Sequence, residues 1–138
     1  MIINHAPFGR YAEREFVVDG IGYICLEQYR VAEKARMAGH EDIRRLVIRA
    51  TDPLVYTALD DRIVCEEWAS REIGVLFVGI LKQLAQHKDM YDALMNTRNK
   101  ELTEIGYQLI GIIFMRVRKI LSPVEYTYDK LKKTIERL

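Results

Sequence analysis

FVVDGIGYICLEQYRVAEKA, residues Phe16 to Ala35, is the stretch that decides the fold. Phe16, Val17 and Val18 on one side, and Ile21, Tyr23, Ile24 and Cys25 on the other, are mostly β-branched or aromatic, as strand positions prefer. Asp19-Gly20 between them is a two-residue hairpin signal, because Gly accepts the positive φ that a type I′ turn demands. From Leu26 the spacing changes. Leu26, Tyr29 or Arg30, and Glu33 or Lys34 recur at the period of a helix. A hairpin therefore delivers the chain into a helix, with Glu27 in its first turn.

Glu27, Arg30 and Lys34 stand at i, i+3 and i+7, near one face of that helix. A carboxylate flanked by cations can face the sugar of an anionic ligand while the cations meet its phosphates. The plainer reading of the same spacing is a Glu27–Arg30 ion pair on a solvated face.

The order of Pro7-Phe8, FVVDG, Glu27-x-Tyr29 and Ala32-x-Lys34 resembles the opening of the NADAR family, which includes the riboflavin-intermediate N-glycosidases. The matching residues are Phe16, Asp19, Gly20, Tyr23, Glu27, Tyr29, Ala32 and Lys34. The likeness continues through Ile48–Ile63 and through Glu66–Thr97, with Trp68 at the family's Trp. It ends with the L-x-E of Leu102–Glu104 and with MRVRKIL, Met115–Leu121. It spans roughly residues 7 to 121. The sequence departs from the family in four places. Gly9-Arg10 replaces a Ser-Asn pair, Gln28 replaces a His, Val31 replaces a Gln, and the Asp-x-x-Trp-Gly segment before the last family helix is absent. In the family that segment supplies a pocket acid and an aromatic wall.

The resemblance implies a mostly α (α+β) architecture: one compact helical domain over residues 1–138 with a small N-terminal β-hairpin. It implies an N-glycosidase that hydrolyses a ribose–nitrogen bond in an ADP-ribose- or phosphoribosyl-type substrate, with no metal or redox cofactor. The alternative is a catalytically lapsed relative that binds a nucleotide-sugar or acts through protein contacts. By resemblance, Glu27 is the catalytic carboxylate, able to stabilise an oxocarbenium-like sugar or deprotonate the attacking water. Lys34 and Tyr29 lie on the same motif. Lys34 meets phosphate or ribose, or else pairs with Glu33 or with the partner of Arg30. Trp68 is a stacking wall, or else a core residue. Glu104 is a second carboxylate, and Arg10 exchanges an amide contact for a phosphate contact.

The rest of the chain reads as a series of helices. Gly39 marks a C-cap. Glu41–Ala50 is a helix with Ile43, Leu46, Val47 and Ala50 inward, and Thr51-Asp52-Pro53 starts a short one to Leu59. Glu66 to His87 is the longest and is apolar almost all round in its middle, so it is central to the core. Lys88–Asn96 follows, then Tyr107–Leu121 with Leu109, Ile112, Ile113, Val117 and Ile120 inward. Ser122-Pro123-Val124-Glu125 reads as a capping box opening an additional amphipathic helix over residues 122–138, with a stripe of Tyr128, Leu131, Ile135 and Leu138. That helix either packs back or meets a protein partner.

At 138 residues the chain can bury a proper core. Its formal net charge of +1 supplies no general attraction to nucleic acid or anionic membrane. No apolar run reaches the roughly 20 residues of a membrane span, and the N-terminus lacks a signal-peptide plan. Cys25 and Cys65 read as buried thiols of a reducing cytoplasm. His5, His40 and His87 are isolated, so no metal site is indicated, and no phosphate-binding loop or serine-nucleophile motif is present.

Overall fold

A computed structural model describes residues 1–5, 7–123 and 127–137. Strands β1 (Phe16–Val18) and β2 (Ile21–Tyr23) pair antiparallel, with Phe16 opposite Tyr23, Val17 opposite Gly22 and Val18 opposite Ile21. Asp19 (φ 51°) and Gly20 (φ 80°) both take the left-handed conformation that a type I′ turn needs. The side chains of Phe16, Val18 and Tyr23 turn inward and Val17 faces out, so the hairpin lays one face on the helices.

Helix α1 (Leu26–Met37) follows directly. Its N-cap, Cys25, makes no side-chain capping bond. The backbone of Arg10 compensates: its carbonyl accepts the Glu27 N–H at 2.9 Å, satisfying one of the helix's orphan donors. At the other end Gly39 (φ 77°) turns the chain. The Gly39 N–H donates to the Arg36 carbonyl at 3.1 Å and the His40 N–H to the Ala35 carbonyl at 2.9 Å, the paired bonds of a Schellman ending. The remaining helices are α2 (Glu41–Arg49), α3 (Pro53–Asp60), α4 (Trp68–Gln86), α5 (Lys88–Asn96), α6 (Gln108–Leu121) and α7 (Tyr128–Glu136). The Asp52 side chain caps α3 by accepting the Leu54 N–H at 2.9 Å, with Pro53 in the first turn. The chain is thus mostly α with a small N-terminal hairpin.

Helix α4 is the hub and contacts β1, α1, α5, α6 and α7. Gly79 makes the α1–α4 approach possible, since a Cβ there would lie 2.8 Å from Leu26 Cδ1 and 2.9 Å from the Tyr29 ring. Gly111 on α6 has the same role, with the Leu102 carbonyl oxygen 2.2 Å from where its Cβ would be. The N-terminus docks beside the loop before α6. Ile2 and Thr103 form a parallel bridge, and the Ile3 N–H donates to the Thr103 carbonyl at 2.9 Å. The Asn4 side chain exchanges two bonds with the backbone of Ile105, at 2.8 and 2.9 Å. This tie holds residues 101–105 against residues 1–4.

Several inward faces differ from the sequence expectation. On α6, Ile112 and Ile120 face solvent and Leu109 is half-buried, whereas Ile110, Phe114 and Leu121 join Ile113 and Val117 in the core. That helix is apolar on nearly every side, so periodicity alone could not choose its inner face. On α4 the ring of apolar residues is incomplete, because Ile73 and Val78 are exposed. On α2 only Val47 is fully buried, and Leu46 faces out. Arg118, in the last turn of α6, is buried and donates to Thr97 Oγ1 at 2.8 Å. Cys65 is half-buried and both thiols are free. Helix α4 starts at Trp68 rather than Glu66, following a turn in which the Trp68 N–H reaches the Cys65 carbonyl.

Helix α7 packs back on the domain. Leu131 and Ile135 are buried, the Tyr128 hydroxyl donates to the Ala85 carbonyl at 2.7 Å, and Tyr128 meets Tyr91 with ring centroids 5.4 Å apart. It begins at Tyr128, where the Thr127 hydroxyl accepts the Lys130 N–H at 3.3 Å, and not at residue 122. Ser122 instead ends α6, its hydroxyl donating to the Lys119 carbonyl at 2.8 Å. Val124 and Glu125 of the expected capping box, and Leu138 of the stripe, lie outside the described residues. Among the described residues no helix is long and apolar enough to cross a membrane.

Candidate functional site

One face of α1 carries a buried chain of alternating charge. Glu27 is only 3% exposed. Its Oε2 accepts from Arg10 Nε at 3.1 Å, and its Oε1 accepts from Arg30 Nε in a short contact. Arg10 continues to Glu104: its backbone N–H donates to Oε1 at 2.9 Å and its guanidinium to Oε2 at 3.3 Å. Arg30 continues to Asp60 Oδ2 at 2.8 Å, and Lys34 Nζ donates to Asp60 Oδ1 at 3.0 Å. The order is Glu104–Arg10–Glu27–Arg30–Asp60–Lys34, three carboxylates and three cations.

Local geometry explains how they meet. Residues 27, 30 and 34 share a helix face. Asp60, the last residue of α3, is set at the end of that face. The docked N-terminal segment brings Arg10, and the Ile2–Thr103 bridge brings Glu104, 94 residues away from Arg10 in sequence. Gly106 (φ 86°) then bends the chain so that the Tyr107 ring lies against both guanidinium groups, its centroid 5.0 Å from Arg10 Cζ and 5.5 Å from Arg30 Cζ. Tyr11 covers Arg10 from another side at 4.9 Å. The Tyr107 hydroxyl is buried and has no hydrogen-bond partner among the described residues. Native structures leave few buried hydroxyls in that state.

The electrostatics follow from burial and pairing. Burial works against the charge on Arg30, but Glu27 and Asp60 outweigh it and hold the guanidinium above its ordinary pKa. Arg10 behaves likewise, with Glu104 and Glu27 as its counter-charges. Burial would raise Asp60, yet the bonds from Arg30 and Lys34 hold it below its ordinary value. At Glu104 burial wins over Arg10, so its carboxyl lies above the ordinary range. Burial also lifts Glu72, on the half-buried side of α4, within the field of Arg30, Lys34, Asp60 and Glu27.

Of the six residues singled out from sequence, the structure joins Arg10, Glu27 and Glu104 directly and Lys34 through Asp60 and Arg30. The Glu27–Arg30 pair exists, but it is buried rather than on a solvated face. Lys34 pairs with the partner of Arg30, the plainer of its two readings. Tyr29 points the other way on α1, into an aromatic cluster with Phe16 and Tyr23. Trp68 is buried in the hydrophobic core, and among the described residues it makes no cation–π contact with these charges. Sequence reasoning missed Asp60, Tyr107 and Glu72. Asp60 lies just past Leu59, the end expected for α3, Tyr107 reaches the cluster through tertiary packing, and Glu72 lies within its field.

Among the described residues no group of three or more His, Cys, Asp or Glu side chains is placed to hold a metal. Neither the protein-family models nor the curated proteins compared with the chain match it.

Proposed function

We propose that this chain is a NADAR-like N-glycosidase that hydrolyses a ribose–nitrogen bond in an ADP-ribose- or phosphoribosyl-type substrate, with Glu27 at the centre of its site. The observation that carries this reading is the convergence of Arg10, Glu27 and Glu104. Glu27 and the L-x-E acid Glu104 stand on stretches that resemble the family, Arg10 stands where the family has Asn, and Arg10 hydrogen-bonds to both carboxylates. The L-x-E of Leu102–Glu104 and the turn after it bring an acid, Glu104, and an aromatic ring, Tyr107, beside the same arginine.

In this reading the substrate's phosphate engages Arg10, Arg30 or Lys34, and the ribose lies by Glu27. A carboxylate held by two guanidinium groups is fixed in place, which suits it to stabilise positive charge building on the sugar as the bond to nitrogen breaks. Water adds its oxygen to the anomeric carbon and releases a proton, and the leaving nitrogen gains one. Glu104, whose carboxyl is raised by burial, is the group suited to supply that proton.

One observation favours a second reading, a binding module that does not cut. Both oxygens of Glu27 are engaged by arginine. The test is release of free base from ADP-ribosylated guanine, or from a phosphoribosyl aminopyrimidine, measured by chromatography. The glycosidase reading expects turnover that Glu27→Gln reduces by about 10²-fold or more. Turnover equal to wild type in Glu27→Gln would remove Glu27 from the chemistry. Binding without release by the wild-type protein would select the module.

A further inference from the structure

The opposite face of α1 borders a groove of about 710 Å³ between the hairpin, α1 and α4. Glu27, Arg30 and Lys34 lie on one side of the helix, while Tyr29, Glu33 and Arg36 look onto this groove, so the two features are separate. The volume is that of a small-molecule site.

The floor is aromatic and rigid. Tyr23 and Tyr29 are 3% and 4% exposed, and their rings meet edge to face at 5.1 Å. Phe16 backs both, at 5.7 and 5.6 Å. Neither tyrosine hydroxyl has a hydrogen-bond partner among the described residues, and neither is sealed inside the protein. Two nearly buried tyrosines therefore present unpartnered hydroxyls to the groove. Burial raises the pKa of both phenols, so both remain O–H donors at neutral pH.

The rim is cationic. Arg71, Gly74, Val78 and Lys82 recur along one face of α4, and Arg36 and Arg44 stand across from them. Against these four cations the groove has two carboxylates, Asp19 and Glu33. Glu33 is already neutralised by Arg36, at 2.7 and 3.0 Å. Arg44 is shared with Glu41 at 3.2 Å, and Lys82 donates to the Ile135 carbonyl at 3.3 Å without losing its charge. Arg71 has no ion pair among the described residues. Gly74 leaves the α4 wall bare, since a Cβ there would meet nothing within 4 Å.

We infer that this groove binds a small organic anion with a flat apolar body, the body on Tyr23, Tyr29 and Val78 and the anionic group at Arg71. The probe is anilinonaphthalene sulfonate, which has that shape and charge. Its neutral counterpart, phenylnaphthylamine, lacks the sulfonate. Fluorescence titration of the full chain is expected to show saturable binding of the sulfonate dye, tighter than the neutral dye. Gly74→Trp fills the groove from a site with open space and should weaken binding by about tenfold or more. Arg71→Glu, at an exposed position that leaves the fold alone, should weaken the sulfonate dye several-fold and leave the neutral dye unchanged. Glu27→Gln, on the other face of α1, should leave dye binding as in wild type. The inference is overturned by any one of three results: no saturable binding by the folded protein, equal binding to Gly74→Trp with its circular dichroism intact, or equal affinity for the two dyes.

Discussion

Replacing Glu27 with Ala removes the carboxylate that separates two guanidinium groups. The side chains of Glu27, Arg30 and Arg10 are 3%, 10% and 18% exposed, so solvent can screen the remaining charges only in part. Breaking a buried ion pair by deleting one partner costs about 3–5 kcal/mol, because the other charge is left uncompensated. Two features place this case near the lower end. Arg30 keeps Asp60 at 2.8 Å, and Arg10 keeps Glu104 at 3.3 Å. The expected loss is about 3 kcal/mol. At about 2.1 cal/mol/K per residue, a chain of this length unfolds with an entropy of about 0.3 kcal/mol/K, so the midpoint should fall by about 10 °C. Thermal unfolding followed by circular dichroism, with a urea titration to give the free energy directly, reads the effect. Glu33→Ala is the control. Glu33 pairs with Arg36, whose side chain is 48% exposed, and such pairs contribute at most about 1 kcal/mol. If Glu27→Ala loses no more than Glu33→Ala, the buried charge chain does not hold α1 in place.

Three further outcomes follow from the packing and the charges. Gly111→Ala drives a Cβ into the Leu102 carbonyl and should cost about 1–3 kcal/mol, whereas Gly74→Ala meets open space and should gain up to about 1 kcal/mol of helix propensity; urea titrations of both variants check the contrast. Gln28 accepts the Ile24 N–H at 2.7 Å and donates to the carbonyls of Val47 and Ala50 at 2.9 and 3.1 Å, so Gln28→Leu orphans buried groups and should cost about 1–3 kcal/mol in the same assay. Asp60 has a folded-state pKa below its ordinary 3.8, so its contribution is complete above that value and is lost as pH falls further through the folded value. Glu104 has the opposite sign: its folded pKa lies above the ordinary 4.5, so the folded state gains as pH falls through that window. Unfolding free energies between pH 6 and 3 should therefore decline more shallowly at the acid end in Asp60→Asn, and should lose the gain that Glu104 supplies as pH falls in Glu104→Gln.

Much of the fold was legible because its signals are local. Asp19-Gly20 specified the hairpin turn, Gly39 the end of α1, and Asp52-Pro53 the start of α3, each through the backbone geometry of one or two residues. Lys88–Asn96 appeared with its observed bounds. The rotation of α6 was not legible, because Ile112 and Ile120 are as apolar as Ile110 and Ile113 and only the neighbouring helices decide which are covered. The start of α7 was missed because Ser122-Pro123 resembles a helix opening, yet Ser122 closes α6. At the site, Glu27, Arg30 and Lys34 could be placed on one face by counting. The burial of Glu27 and Arg30 could not, because it depends on the N-terminal segment pairing with Thr103 and carrying Arg10 over the face. The same pairing, between stretches at opposite ends of the sequence, delivered Tyr107, which no local pattern marks.

In the proposed function the charged face of α1 receives a ribose-phosphate ligand. Calorimetric titration with ADP-ribose of the wild-type protein, Glu27→Gln and Lys34→Ala tests it most directly, with circular dichroism confirming that each variant is folded. The expected result is binding by the wild-type chain that both substitutions weaken. Absence of heat from the folded wild-type protein at about millimolar ligand, or equal affinity in all three proteins, would contradict it.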